Sequence, residues 1–308
     1  MKTLSIIATC SLLLIQSLQN LHADTLTSGL IAFYKFDSNI VDSSSQGNNL
    51  QDPLGNFTNG MLSYGVDRFG TSSSALNISS ANVQLRSMNN LGITGNQSAT
   101  ISMWINPSSD MEGIWLAGFG SLLSPMGAFA VSMKESWPSG RKPVGMSVFN
   151  YLPAGIGGTA ADGVRGEFGF VLSSWHHLTA VYSGNFDTIA IYLDGQPLST
   201  SDYISSSHSN ILNIVNTTLF VGVQPDQDIA GNMKGALDDL RVYNRALSPY
   251  EVLALYNLQR PVYEVTLTTK SSTNLNEWTS VLTNKIETYN PTEFYKNDIS
   301  VTIKPPAP

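Results

Sequence analysis

The run GALDDLRVYNRALSPYEVLALYN, Gly235 to Asn257, constrains the fold more than any other stretch of this chain. Leu240 and Val242 share one parity and Asp239 and Arg241 the other, the period-2 pattern of a strand with one buried face. Ser248 supplies an N-cap hydroxyl, Pro249 suits the first helical position, and Glu251 completes a capping box. Val252, Leu255 and Tyr256 recur at three- and four-residue spacing, so a short helix turns one apolar stripe onto a neighbouring element.

The rest of the chain reads as short strands separated by turn chemistry. Gly29–Asp37 is apolar on both parities, as expected of a strand covered on two faces. Thr100–Asn106 sets Ile101, Met103 and Ile105 opposite Trp104. Further strands are expected at 75–78, 83–85, 114–119, 128–133, 145–149, 167–171, 177–182, 188–193 and 219–223. Asp194-Gly195 is a hairpin signal, with Gln196–Leu198 as the returning strand. So many short strands and one terminal helix indicate an antiparallel sandwich, not alternating β/α units.

Residues 1–23 read as a secretory signal, with Lys2 at the start, an apolar run from Leu4 to Leu18, and Ala23 before the expected cleavage point. The run is too short and too interrupted by polar residues to span a membrane, so no transmembrane span is expected in the mature chain. Cys10 lies inside the run, not at its end, which argues against lipid attachment. It is also the only cysteine, so the mature chain has no disulfide and a large core must supply its stability. Losing Lys2 leaves 15 basic residues against 23 acidic, a net charge of −8 without a basic patch, and nucleic acid is not an expected partner. The expected setting is secreted, either extracellular or in a bacterial cell envelope.

Four pieces carry a family resemblance: LIAFYKFD with VDSSSQGNN, then ATISMWINP, then WHHLTAVYSG with IAIYLDGQPL, and finally GALDDLRVYNRALSPYE. Their order and spacing over residues 29–257 resemble the LamG-like jelly-roll domain of the concanavalin A-like class. The resemblance implies an all-β, antiparallel jelly-roll sandwich with one short C-terminal helix. The expected domains are a signal at 1–23, the jelly roll at 24–260, and a small β appendage with a Pro-rich tail at 261–308. Within the appendage, Ser272, Thr273, Asn274, Leu275 and Trp278 resemble a small hairpin unit appended to many exported bacterial proteins.

The implied role is a non-catalytic binding module for carbohydrate at or outside the cell surface. The alternatives are a structural or adhesion protein that binds another extracellular protein, and a polysaccharide-active enzyme. Glycoside hydrolases of this fold carry a Glu-x-Asp strand that aims paired carboxylates at the scissile bond. None of the eight glutamates here is followed by Asp two positions later. His176 and His177 are adjacent on a strand and point to opposite faces, so one structural and one surface imidazole are expected.

Sugar-binding jelly rolls stack flat rings on pyranoses. Trp104 and Trp175 sit among strand residues and read as core, whereas Trp137 and Trp115 are the candidate platforms. Arg141 and Tyr151, in the Gly-, Ser- and Pro-rich stretch at 120–166, join them as ligand-binding candidates. A loop tryptophan that only covers a hydrophobic edge is the plainer alternative. The resemblance also implies one structural Ca2+, held by an early loop and an acidic residue near the last strand. Asp42, Asn48, Asp238 and Asp239 are the oxygen donors this suggests. Against it, Asp42 caps a turn and Asp239 pairs with Arg241 or Arg245.

Overall fold

The computed structural model describes residues 26–80, 83–108, 114–121, 127–134, 145–151, 161–166, 173–184, 189–198, 200–203, 212–223, 234–259, 262–271, 279–288 and 299–304. The expected signal at 1–23 and the Ser272–Trp278 pattern lie outside these residues, as does the strand expected at 167–171.

In chain order the first strands are β1 (Leu30–Tyr34), β2 (Leu50–Gln51), β3 (Leu62–Gly65), β4 (Ala75–Ile78), β5 (Leu85–Asn90) and β6 (Ala99–Pro107). Then come β7 (Ile114–Gly120), β8 (Ala128–Lys134), β9 (Gly145–Tyr151), β10 (Ala161–Gly166), β11 (His176–Tyr182), β12 (Ala190–Leu193) and β13 (Gln196–Pro197). The series closes with β14 (Thr200–Tyr203), β15 (Thr218–Val221), β16 (Gly235–Tyr243), helix α1 (Pro249–Gln259), β17 (Val262–Ser271), β18 (Thr279–Thr288) and β19 (Ile299–Lys304).

Two antiparallel sheets of eight strands make the sandwich. The first runs β13-β12-β11-β6-β16-β4-β3, with β1 also paired to β16, and the second runs β14-β10-β9-β8-β7-β15-β5-β2. Their facing sides share one core that includes Ile101, Met103, Leu178, Ala180 and Val242 from the first sheet and Phe119, Phe129, Val131 and Leu219 from the second. Every second residue contributes, which is why the sequence period is two. The three-stranded sheet β18-β17-β19 belongs to a second compact unit, made of residues 68–71 and 257–308, apart from the unit of residues 1–67 and 72–256.

β16 lies at the centre of the first sheet. One edge pairs with β6, while the other pairs first with β4 and then with β1. The ladder to β6 shifts register between Asp238 and Arg241, and Asp239 takes a positive φ of 48° there. The two aspartates therefore flank a bulge, not a plain alternating strand. Asp239 Oδ1 stands 3.7 Å from Arg241 Nη2, and the Arg241 guanidinium lies 3.7 Å from the Phe33 ring centroid.

Helix α1 covers the outer face of the first sheet. Its Val252 and Leu255 join Leu26, Val181, Tyr192, Tyr243 and Leu247 in a second apolar cluster. Tyr256 stacks on Trp104 with centroids 5.7 Å apart. Trp104 is thus buried beneath the helix and is not part of the core between the sheets. Trp175 is only half-buried. The capping box forms in both directions: Ser248 N–H donates to Glu251 Oε2 at 2.8 Å, and Glu251 N–H donates to Ser248 Oγ at 3.3 Å.

Candidate functional site

On β8, Phe129 and Val131 enter the core, which leaves Ala130 and Ser132 on the outward face of the second sheet. The adjoining strand β7 would normally bury alternate residues. A register shift between Trp115 and Ala117 instead sends both Leu116 and Ala117 into the core and leaves Trp115 opposite Ser132. The ladder continues from Ser132 to Ser147, from Ser147 to Arg165, and from Arg165 to Ser201.

A parallel row lies one step along the strands. Arg86 pairs with Phe220, Phe220 with Gly118, and Gly118 with Ala130. Backbone register then carries this row to Phe149 on β9 and Gly163 on β10. The row has small residues at its middle and aromatic residues on either side of them. Arg86 on β5 is exposed and pairs in turn with Gln51 of β2, whereas Phe220, Gly118 and Ala130 are buried.

Ser132 is 2% exposed, and its Oγ has no hydrogen-bond partner. Buried hydroxyls are nearly always paired, so an exception calls for a reason. Among the described residues one other buried hydroxyl, Tyr243, shares this condition, but it is enclosed in the apolar cluster under α1. Ser132 instead lies opposite Trp115, which is half-buried. Tyr151 ends β9 on the parity of Ser147, so two of the four aromatic and basic candidates, Trp115 and Tyr151, belong to this one sheet. Trp137 and Arg141 lie outside the described residues, in the connection between β8 and β9.

The proposed calcium corner has a different chemistry. Asp42 Oδ1 accepts from the N–H groups of Phe33 (2.9 Å) and Ser44 (2.8 Å). Its Oδ2 accepts from Ser44 Oγ (2.9 Å) and Asn48 N–H (2.8 Å). A carboxylate has about four lone-pair sites, and four protein donors occupy them. Asn48 Nδ2 donates to Ile31 O at 2.7 Å, and Asn49 Oδ1 accepts from Asp42 N–H at 2.9 Å. Asp238 is buried, and its Oδ1 accepts from Asp239 N–H at 2.8 Å. Among the described residues no group of three or more His, Cys, Asp or Glu side chains stands ready for a metal. These donors clamp the 42–49 loop to β1 and do not fit a cation at Asp42. Burial, reinforced by the Asp42 charge, pushes the neighbouring Tyr34 phenol far above its ordinary pKa, and this phenol donates to Asn48 O at 2.6 Å.

His177 is buried, and His176, expected at the surface, is half-buried. His177 is buried beside Trp104 and Tyr256, with Nε2 2.9 Å from Ser102 Oγ, and Thr179 Oγ1 donates to that same oxygen at 3.0 Å. His176 pairs with Asp194 at 3.0 Å, and Asp194 also accepts from His177 N–H at 2.8 Å. Sequence reasoning missed this network. It also missed Ser132, although the run AFAVSMK carries the signal: bulky residues on one parity, and Ala128, Ala130 and Ser132 on the other.

Several proteins of known structure share this architecture. Domain 4 of AbnA, an extracellular GH43 arabinanase from Geobacillus stearothermophilus solved with arabinotriose, is 18% identical with a TM-score of 0.52, covering 74% of this chain and 98% of its own. The binding domain of Paraclostridial Mosquitocidal Protein 1 is 17% identical at a TM-score of 0.52, covering 80% of this chain and 62% of that one. The ligand binding domain of botulinum neurotoxin serotype D, solved with N-acetylneuraminic acid, is 11% identical at a TM-score of 0.54, covering 84% and 63% respectively. This chain therefore spans slightly under two thirds of these last two chains. At such identities the likeness is one of fold. No curated protein matches the chain in sequence. A family model does match, over residues 77–253, and with the two-sheet sandwich it shows that the chain belongs to the concanavalin A-like lectin/glucanases superfamily, in its laminin G 3 group.

Proposed function

We propose that this chain is an exported, non-catalytic carbohydrate-binding module with a ligand contact at Trp115, the half-buried ring on the outward face of the second sheet. The observation that carries the reading is the pairing of Trp115 with Ser132, an aromatic ring beside a buried hydroxyl without a protein partner. A sugar uses both kinds of group at once, since its C–H face stacks on a ring while its hydroxyls need hydrogen-bond partners. The fold gives indirect support, because related sandwiches were solved with arabinotriose and with N-acetylneuraminic acid. The missing Glu-x-Asp pattern favours binding over hydrolysis. Export rests on the character of residues 1–23.

A glycan array and pull-downs on insoluble polysaccharides test the reading. The intact chain is expected to be retained on at least one glycan, and Trp115→Ala to weaken retention about tenfold or more with an unchanged far-UV spectrum. Equal retention by the variant removes this face from the site. Retention by no glycan leaves a protein partner as the better account.

A further inference from the structure

Helix α1 is apolar well beyond its buried side. Of its residues, PYEVLALYNLQ, only Glu251 carries a charge, and Arg245 and Ser248 hold that carboxylate. Val252 and Leu255 bury one side in the second apolar cluster. The other side carries Tyr250, Ala254 and Leu258, which stand four residues apart and so form one ridge. Tyr250 is 82% exposed and Leu258 53%, with half-buried Ala254 between them. Among the described residues no large apolar side chain is more exposed than Tyr250. A helix that is apolar on both sides belongs in a buried setting, so the ridge calls for a cover.

The ridge is symmetric about Ala254, with a large side chain four positions to either side. A two-fold axis at Ala254 brings the Leu258 of a second copy to Tyr250 and its Tyr250 to Leu258. The small residue at the crossing lets the helices approach closely. A foreign protein would need no such symmetry. We propose that α1 pairs antiparallel with α1 of a second copy of this chain in a weak, reversible dimer. The antiparallel sense opposes the two helix dipoles and carries each Tyr250 hydroxyl to the last turn of the facing helix. The carbonyls of that turn lack intrahelical partners, and the turn holds no basic residue. Two buried tyrosines contribute about 300–500 Å². Even with two leucines the pair stays below the roughly 1,200 Å² of a lasting complex, so half-association is expected on the order of 100 μM. The pairing stands apart from the carbohydrate reading.

Sedimentation of the full chain between about 5 and about 500 μM is expected to show monomer passing into dimer. Tyr250→Glu and Leu258→Lys should each weaken pairing about tenfold or more, because each buries a charge against an apolar side chain. Acid in the first turn and base in the last both suit the helix dipole, so the unfolding temperature should hold or rise. In the double variant the new charges meet across the axis, and pairing should recover in part. In a Cys10→Ser background, Ala254→Cys supplies the only thiol and should link the dimer under oxidised glutathione. Met88→Cys, exposed on β5, should not. A chain that stays monomeric throughout overturns the proposal and leaves the ridge to another protein. A dimer untouched by both single substitutions, or linked equally well through Met88→Cys, overturns the placement on α1. Absence of recovery in the double variant overturns the antiparallel sense.

Discussion

Glu251 joins two residues, Arg245 and Ser248, at one helix end. It accepts from Arg245 Nη2 at 2.8 Å, from Arg245 Nη1 at 3.1 Å, and from both the N–H and the hydroxyl of Ser248. Partial burial by itself would raise its pKa, but the bonds from Arg245 and Ser248 outweigh it and hold the carboxyl below its ordinary value. A carboxylate depressed in the folded state stabilises the fold above its unfolded pKa and loses that contribution as pH falls through the folded one. Glu251→Ala should therefore lower stability by about 2 kcal/mol at neutral pH. The gap between parent and variant should narrow as pH drops from about 4.5, the carboxyl's ordinary value. Thermal unfolding of both proteins from pH 7 to pH 3 checks this, and a constant gap would assign the loss to packing and not to charge. Near the other end of the chain, four donors to Asp42 make it the knot of its loop.

At the scale of elements, the hairpin β12–β13 and helix α1 meet at one glycine. Asp194 and Gly195 take φ values of 49° and 75°, the paired left-handed geometry of a two-residue type I′ turn. A Cβ on Gly195 would lie 3.0 Å from Tyr256 Cδ1 and 3.1 Å from Leu253 Cδ1. Gly195→Ala thus meets both a strained backbone and the underside of the helix, and should cost about 1–3 kcal/mol. The same substitution should disturb the stack of Tyr256 on Trp104, so tryptophan fluorescence should change along with the unfolding temperature. An unfolding temperature equal to the parent's would mean that the helix moves aside without cost. The Asp-Gly turn was legible from two residues. The helix it touches was legible too, from Ser248, Pro249 and Glu251. Their contact was not, because it joins residues about sixty positions apart and depends on how the helix lies on the sheet.

For the whole molecule, stability has to come from packing, since the single cysteine, Cys10, lies in the expected leader. Two eight-stranded sheets share a continuous apolar core, and α1 seals a second cluster on the outside of the first sheet. Calcium has little left to add at the corner that residue types suggested, because protein donors fill the Asp42 oxygens. Global thermal unfolding should be the same in millimolar calcium and in chelator. A cation present at a hundredfold its dissociation constant would stabilise by about 2.7 kcal/mol and raise the unfolding temperature by about 5 °C or more. A shift of that size would restore a cation site to this fold.

Much of this protein follows from local sequence, because strand alternation, turn geometry and helix capping each depend on a few adjacent residues. The all-β class, the Asp194-Gly195 turn and the capped helix are of this kind. Tertiary structure decided what lies across the strands. Trp104 sits under α1 and not between the sheets, the β16 ladder breaks at Asp239, and Arg86, Phe220, Gly118 and Ala130 fall on one line although they come from four separate strands. Register between strands distant in sequence is set by which faces bury together in the folded core. A row made of one residue from each strand exists only once that register is in place.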